Sequence, residues 1–128
     1  MSLYGMLKFK GKSGFGYNST AEEVTEGLDL SGKTYLVTGC NSGLGLETCR
    51  VLALRGGTVI GAARTTEKAN NALSSLGGQH HGVACELSEP ASVKAAVTSV
   101  QEIGLALDGI ICNAGIMAIP EKTVQHGV

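Results

Sequence analysis

Three glycines, Gly39, Gly43 and Gly45, form the pattern in this sequence that is best suited to bind a ligand. A short apolar run at Thr34–Thr38 precedes them, and apolar residues at helical spacing follow from Leu44 to about Arg55. Between a strand and a helix, the first glycine can make the sharp turn, the second can admit a pyrophosphate and the third can let the helix pack closely. Because a helix N-terminus offers unpaired amide donors, this spacing predicts a phosphate-binding loop rather than a plain glycine-rich turn.

The elements that must position this loop alternate along the chain. Strands are predicted at residues 34–38, 58–63, 81–85 and 107–113, and helices at residues 44–55, 65–76 and 90–103, the last of them capped by Ser88. A capping box of Ser19 and Glu22 predicts a short helix that ends near Gly27. Short apolar strands that alternate with helices indicate an α/β fold, with a parallel sheet covered by helices on both faces.

Length and composition exclude several classes of function. The chain has 128 residues, which allows one domain. Its net charge of −1 provides no broad basic surface for nucleic acid, and its 4% aromatic content provides few rings on which bases could stack. No apolar run approaches the ~18 residues of a membrane span, and the first residues lack the apolar core of a signal peptide. We therefore expect no nucleic-acid partner, no membrane span and a cytoplasmic location, with an organellar or membrane-associated one left open.

The cysteines and histidines do not form a metal-binding pattern. The four cysteines include no C-x-x-C pair, and most of them lie in or beside apolar runs. They are Cys40, Cys49, Cys85 and Cys112. His80 and His81 are adjacent but have no third ligand at helical spacing. We predict free, buried thiols in a reducing compartment and no metal site.

Four segments of the sequence resemble the short-chain dehydrogenase/reductase family. Residues 38–45 resemble its cofactor loop, and Ala63-Arg64 its residues at the end of strand two. Glu86-Leu87 follows strand three, where the family places residues against the adenine. Asn113-Ala114-Gly115 follows strand four, where the family's Asn ties neighbouring strands together and the backbone nears the ribose. The lead-in at residues 14–33 is similar to the retinol-dehydrogenase-like and WW-domain-oxidoreductase-like branch, including its plastid import-associated member.

The resemblance implies a Rossmann-type, doubly wound parallel sheet, of which this chain carries the N-terminal half with strand order 3-2-1-4. Residues 1–30 would form a lead-in with a short helix, and residues 31–128 a partial NAD(P)-binding domain. In the intact parent, hydride would pass between the nicotinamide and an alcohol or carbonyl substrate. The residues implied to bind the cofactor are Gly39, Asn41, Ser42, Gly43, Leu44, Gly45, Arg64, Glu86, Leu87, Asn113, Ala114 and Gly115.

The end of strand two favours NADP(H) over NAD(H). In this fold an acidic residue there hydrogen-bonds the ribose 2′-hydroxyl and repels a 2′-phosphate. Ala63 stands where that acid would be, and Arg64 follows it with a guanidinium that can form two charge-assisted hydrogen bonds to a phosphate. Ser42 can add a hydroxyl but no charge. The alternative is that Arg64 is a solvated residue at the start of the next helix.

The catalytic residues that the resemblance implies are not found in this chain. The family uses a Ser and a Tyr-x-x-x-Lys pair after strand four, in which the Lys lowers the pKa of the Tyr. Tyr4 and Lys8 have this spacing, but they precede the glycine loop in a glycine-punctuated segment with no helix to set the geometry. We therefore expect no catalytic residue in residues 1–128 and no turnover of alcohols or carbonyls by this chain alone.

Two functions fit such a chain. In the first it is the cofactor-binding part of an enzyme, as an N-terminal fragment, the ordered part of a longer product or a truncated gene product. A small-molecule substrate would then bind only to the intact parent. In the second it is a non-catalytic dinucleotide-binding or interaction module. In both cases the strand at residues 107–113 would have one bare apolar edge, so we expect the isolated chain to self-associate or to be partly molten.

Overall fold

The structure, a computed structural model, describes residues 11–116 and residue 124. Its four strands are β1 (Thr34–Thr38), β2 (Thr58–Ala63), β3 (His80–Ala84) and β4 (Gly109–Ile111). Its described helices are α1 (Ala21–Val24), α2 (Gly43–Leu54), α3 (Thr66–Leu73) and α4 (Pro90–Ile103). All neighbouring strands run parallel, in the order β3-β2-β1-β4. The predicted α/β class and the strand order 3-2-1-4 are therefore confirmed.

Several predicted boundaries differ from the structure. The third strand begins and ends one residue earlier than expected, because its first residue, His80, is in register with Val59 of β2. The fourth strand is limited to Gly109–Ile111, the residues that pair with β1, and is four residues shorter than predicted. The helix expected to end at residue 76 ends at Leu73, and a single turn bond from the Leu76 amide to the Leu73 carbonyl follows it.

The capping box of α1 lies one residue later than predicted. The Glu23 amide donates to Thr20 Oγ1 at 3.2 Å, and the Thr20 amide donates to Glu23 Oε2 at 3.0 Å. Glu22, the expected capping partner, instead accepts a hydrogen bond of 2.7 Å from the guanidinium of Arg50 in α2. The helix ends at Val24 rather than near Gly27. The ion pair with Arg50 thus joins the lead-in to α2 and leaves Glu23 to cap the helix.

The predicted cap of the last described helix is also wrong. Glu89, not Ser88, is the N-cap residue of α4, and Pro90 is its first helical residue. The Ser88 hydroxyl donates to Glu86 Oε1 at 3.0 Å, so it belongs to the loop between β3 and α4.

Two apolar cores lie on opposite faces of the sheet. The core under α2 and α3 is built from Val37, Cys40, Cys49, Val59, Ala63, Ala69 and Leu73. The core under α4 is smaller and is built from Ile60, Val83 and Ala96, with partly buried residues that include Leu36 and Val100. Because consecutive strand residues point to opposite faces, the two central strands, β1 and β2, contribute to both cores. This arrangement confirms the prediction of helices on both faces. None of the described helices has the length and apolar character needed to span a bilayer.

The short strand β4 is tied to β1 at its beginning. The Thr34 amide donates to Asp108 Oδ2 and the Asp108 amide donates to the Thr34 carbonyl, both at 2.8 Å. Lys33 adds a partly exposed ion pair to the same carboxylate at 3.7 Å. Within the described part of the chain, the outer edge of β4 has no strand partner, and the side chain of Ile110 is 59% exposed.

The thiols are free, as expected, but they are not all buried. Cys40 and Cys49 lie in the core under α2, whereas Cys85 is half-buried and Cys112 is exposed. Cys112 directly follows β4 at the uncovered edge of the sheet, which explains its exposure. Burial raises the pKa of the Cys49 thiol to about 12, with a smaller contribution from Cys40, so Cys49 stays protonated at neutral pH.

Gly61, in the middle of β2, is predicted to tolerate no side chain without loss of stability. A Cβ atom there would lie 2.8 Å from Cys40 Sγ and 2.9 Å from Leu73 Cδ1, inside the packed core. We expect Gly61→Ala to lower the free energy of unfolding by about 1–3 kcal/mol, as overpacking does in other cores. Urea unfolding followed by circular dichroism measures the change.

The matched control is Gly77→Ala. A Cβ at Gly77 would meet no atom within 4 Å, and Gly77 is not among the glycines with a positive φ. This variant should unfold within about 0.5 kcal/mol of the wild type. Equal losses in the two variants would contradict the packing described for β2.

Candidate dinucleotide site

A cavity of about 630 Å³ lies where the carboxyl ends of the four strands meet. Ligands of open α/β sheets bind in this position, outside the strand ends. Nine of the twelve residues predicted to bind the cofactor line the cavity. They are Gly39, Asn41, Ser42, Arg64, Glu86, Leu87, Asn113, Ala114 and Gly115. The structure therefore brings together residues from all four sequence segments.

The other three predicted residues, Gly43, Leu44 and Gly45, belong to the first turn of α2 and do not line the cavity. The side chain of Leu44 is 81% exposed. Gly43 instead borders a separate groove of about 480 Å³, formed by the outer side of α2 and the residues after α3. Gly45 is buried beneath the loop, where its role is to let the helix approach the sheet.

The close approach of α2 to β1 depends on the missing side chain of Gly45. A Cβ atom at this position would overlap the carbonyl oxygen of Gly39 and would lie 2.5 Å from Asn113 Nδ2. Because neither the Gly39 backbone nor the held Asn113 amide can move away cheaply, only glycine fits. This contact places the N-terminus of α2 directly behind the loop.

The loop itself leaves room for a phosphate. Gly39 and Gly43 have φ values of +69° and +56°, which L side chains rarely adopt. A Cβ on Gly43 would meet no atom within 4 Å, so it is the backbone conformation rather than crowding that favours glycine there. The N-cap residue Ser42 makes no side-chain hydrogen bond to the first turn. The first amides of a helix have no intrahelical acceptor, and here no side chain caps them, so the site fits an anionic group.

The residues after β4 are fixed to the end of β1. Asn113 Nδ2 donates to the Thr38 carbonyl at 3.1 Å and approaches the Gly39 carbonyl at 3.5 Å. The Ala114 amide donates to Thr38 Oγ1 at 3.0 Å. The predicted role of Asn113 in tying neighbouring strands agrees with these bonds. Thr38 also lines the cavity, although it was predicted only as the start of the loop motif.

Arg64 directly follows β2 and has an exposed side chain at the rim of the cavity. The preceding residue, Ala63, is buried in the core and brings no carboxylate to this strand end. Among the residues that the structure describes, Arg64 forms no ion pair. Its guanidinium is therefore available to an anion in the cavity.

Glu86 lines the same cavity, but its carboxylate is bound within its own loop. Glu86 Oε1 accepts hydrogen bonds from the Ser88 amide at 3.2 Å and from the Ser88 hydroxyl at 3.0 Å. The Glu86 amide donates to Ser92 Oγ at 2.9 Å. The backbone and side-chain bonds from Ser88, and more weakly the charge of Arg64, lower the pKa of the Glu86 carboxyl, which is ionised at neutral pH. The role of Ser88 was missed, because its position before Pro90 favoured a helix cap.

The described lining of the cavity includes no Tyr and no Lys. Tyr35 is in β1 but packs beside Gly109, and Tyr17 is exposed in the lead-in. Tyr4 and Lys8 lie outside the described residues. What the described lining provides is one cation, one carboxylate, polar side chains and exposed backbone.

Comparison with known proteins identifies a family with this arrangement. Residues 33–126 match the family model described as short chain dehydrogenase. "Short-chain dehydrogenase TIC 32 B, chloroplastic" of Brassica napus is 38% identical, and the alignment covers 100% of this chain and 42% of that protein. The WW domain-containing oxidoreductase of Gallus gallus is 36% identical over 87% of this chain and 28% of its own length. The chain thus spans less than half the length of these relatives.

A solved structure agrees with the fold. The crystal structure of a short-chain type dehydrogenase/reductase from Mycobacterium marinum superposes with a TM-score of 0.63 at 29% sequence identity. The superposition covers 71% of this chain and 37% of that one.

Asn113→Asp tests the tie between β4 and the loop. The new carboxylate would face two carbonyl oxygens where the amide now donates, so we expect a loss of about 1–3 kcal/mol in unfolding free energy at neutral pH. The carbonyls raise the folded-state pKa of the new carboxyl above its unfolded value of about 3.9. The loss is therefore full above the folded-state pKa and shrinks as the pH falls towards the unfolded value. Urea unfolding at neutral and acidic pH measures it.

Asn41→Asp is the matched control. Asn41 is exposed in the glycine loop, and its replacement by Asp adds the same charge at a position that does not face the two carbonyls. It should change stability by less than about 0.5 kcal/mol at either pH. A pH-independent loss in Asn113→Asp would contradict the geometry.

Proposed function

This chain belongs to the short-chain dehydrogenase family, and we propose that it is the NADP(H)-binding part of an oxidoreductase. In the intact parent, hydride would pass between the nicotinamide and an alcohol or carbonyl substrate. Residues 31–128 would form the cofactor-binding unit and residues 1–30 the lead-in. The observation that carries the proposal is the exposed guanidinium of Arg64, which directly follows β2. The last residue of that strand is Ala63, so no acidic side chain lies there.

The pyrophosphate would lie at the N-terminus of α2. The amides of the first turn, which no side chain of the N-cap residue Ser42 caps, support this position. The partial positive charge of a helix N-terminus adds to the attraction for phosphate. Asn41 and Ser42 line the cavity beside it and can contribute polar contacts, and the backbone of Gly39 borders the same space.

The adenosine half would lie across the ends of β2 and β3. Leu87 has an exposed side chain on this surface and can cover the adenine, beside Glu86. The backbone of Asn113, Ala114 and Gly115 would border the ribose at the other side of the cavity. The bound cofactor would supply the hydride chemistry, while these residues hold and orient it.

The cofactor preference follows from charge. A 2′-phosphate carries negative charge to the end of β2, where Ala63 offers no repulsion and Arg64 offers five N–H donors. An adenosine with a 2′-hydroxyl forms no ion pair with Arg64 and finds no carboxylate at Ala63 to accept its hydrogen. The balance favours NADP(H).

A non-catalytic dinucleotide-binding module is the second candidate. The observation that favours it is the described cavity lining, which includes no Tyr or Lys to transfer a proton. The coding sequence after residue 128 would distinguish the two candidate functions. A downstream Ser and Tyr-x-x-x-Lys would support the enzyme, and a genuine stop codon would support the module.

The cytoplasmic location expected from the sequence competes with an organellar one. The Brassica napus relatives are named as chloroplastic, so imaging of a fluorescent fusion of the protein should compare plastids with the cytoplasm.

Arg64→Ala tests the preference for NADP(H). A hydrogen bond to a charged group contributes about 1.5–3 kcal/mol, so the variant should bind NADPH about ten- to a hundredfold more weakly. Its affinity for NADH should stay within about twofold, since NADH has no 2′-phosphate. Isothermal titration calorimetry with both nucleotides measures the change.

Lys12→Ala is the charge-matched control, because Lys12 is an exposed cation in the lead-in and does not line the cavity. It should leave both affinities unchanged. Equal weakening of NADPH and NADH in Arg64→Ala, or tighter binding of NADH than NADPH in the wild type, would show that Arg64 does not bind the phosphate.

The bare edge of β4 supports the proposal that the chain self-associates. Ile110 is an exposed apolar residue on this edge strand, and apolar edges pair with other chains. Ile110→Lys should shift the chain towards monomer in analytical ultracentrifugation, whereas Leu54→Lys, at an exposed residue of α2, should not. A wild-type chain that sediments as a sharp monomer and unfolds cooperatively would contradict this proposal.

A further inference from the structure

Arg64 and Glu86 carry opposite charges on neighbouring strand ends. Ala63 of β2 is in register with Ala84 of β3, and the Cys85 amide donates to the Ala63 carbonyl at 2.7 Å. Arg64 therefore follows β2 beside the segment that leads to Glu86, and both residues line the same cavity. Two long, flexible side chains so placed would be expected to form a surface ion pair.

No such pair exists among the described residues, and the Glu86 carboxylate accepts hydrogen bonds from its own loop instead. Both the amide and the hydroxyl of Ser88 donate to Glu86 Oε1, at 3.2 and 3.0 Å. The loop that carries them is fixed in turn by the bond from the Glu86 amide to Ser92 in α4. These bonds from the Ser88 amide and hydroxyl lower the pKa of the Glu86 carboxyl, and the charge of Arg64 adds a smaller lowering.

We propose that Ser88 is a positioning residue for cofactor discrimination, which holds the Glu86 carboxylate away from Arg64 and so keeps the guanidinium free for a 2′-phosphate. The proposal rests on the NADP(H) preference proposed above. An Arg64 paired with Glu86 would have to lose that partner before binding a phosphate, and the nearby carboxylate would also repel the phosphate. NADH, which does not use Arg64, would be insensitive to Ser88.

The test is calorimetric titration of NADPH and NADH into the whole 128-residue chain carrying Ser88→Ala. Loss of the hydroxyl leaves the bond from the backbone amide of residue 88 as the one remaining bond from this residue to Glu86, so the carboxylate is held less firmly and can approach Arg64 more often. An exposed ion pair contributes about 0.2–1 kcal/mol, so NADPH should bind up to about fivefold more weakly while NADH is unchanged. The loss should diminish in high salt, which screens the pair.

Two further variants separate positioning from a merely structural role. Ser88→Thr keeps the hydroxyl and should bind NADPH like the wild type. Glu86→Gln keeps an oxygen that Ser88 can bind but removes the charge, so NADPH should bind at least as tightly as in the wild type. The double variant Ser88→Ala, Glu86→Gln should match Glu86→Gln, because no carboxylate remains to capture Arg64.

The inference is overturned if Ser88→Ala weakens NADPH and NADH equally, or if the double variant loses as much NADPH affinity as Ser88→Ala alone. Its failure is distinguishable from failure of the proposed function. If Arg64→Ala weakens NADPH but Ser88→Ala does not, only the role of Ser88 is wrong. If Arg64→Ala has no effect on NADPH, the cofactor preference itself is wrong.

Discussion

The N-terminus of α2 lies so close to the end of β1 that position 45 has no room for a Cβ atom. The same small space is bordered by the Gly39 carbonyl and by the Asn113 amide, which also binds the Thr38 carbonyl. One contact region therefore joins the glycine loop, the first helix and the strand on the other side of β1. The packing also holds the helix so that it begins directly after Asn41 and Ser42, which line the cavity. The cavity at the strand ends depends on this packing.

The ends of β2 and β3 place two opposite charges on the lining of this cavity. Arg64 supplies a cation without a neutralising partner among the described residues, and Glu86 supplies an anion that is bound by its own loop. The two residues follow strand positions that are paired in register, Ala63 of β2 and Ala84 of β3. In the proposal made above, discrimination depends on both charges and on the Ser88 hydroxyl, rather than on Arg64 alone.

Much of this arrangement could be predicted from the sequence, because strand and helix patterns are local. The alternation of apolar runs and helical spacing predicted the parallel sheet with helices on both faces, and the family resemblance predicted its order and the segments that meet at the cavity. What could not be predicted depended on tertiary contacts or on a choice between two local partners. Arg50 of α2 donates a hydrogen bond to Glu22, and Thr20 and Glu23 form the capping box instead. The length of β4 was overestimated because only three of its residues pair with β1. Ser88 was misassigned because its hydroxyl could serve either the helix or Glu86, and the sequence does not distinguish these partners.

The most direct test of the central claim is amide chemical-shift mapping of the nitrogen-labelled chain titrated with NADPH and, separately, with NADH. If the nucleotide binds at the strand ends, both cofactors should shift the amides of residues 42–45, at the start of α2, and of Asn113 and Ala114. Only NADPH should strongly shift the amide resonance of Arg64, since only NADPH carries a 2′-phosphate. The account would be contradicted if the largest changes fell in the separate groove lined by Leu46, Ala53 and Leu76, or if NADPH and NADH shifted Arg64 equally.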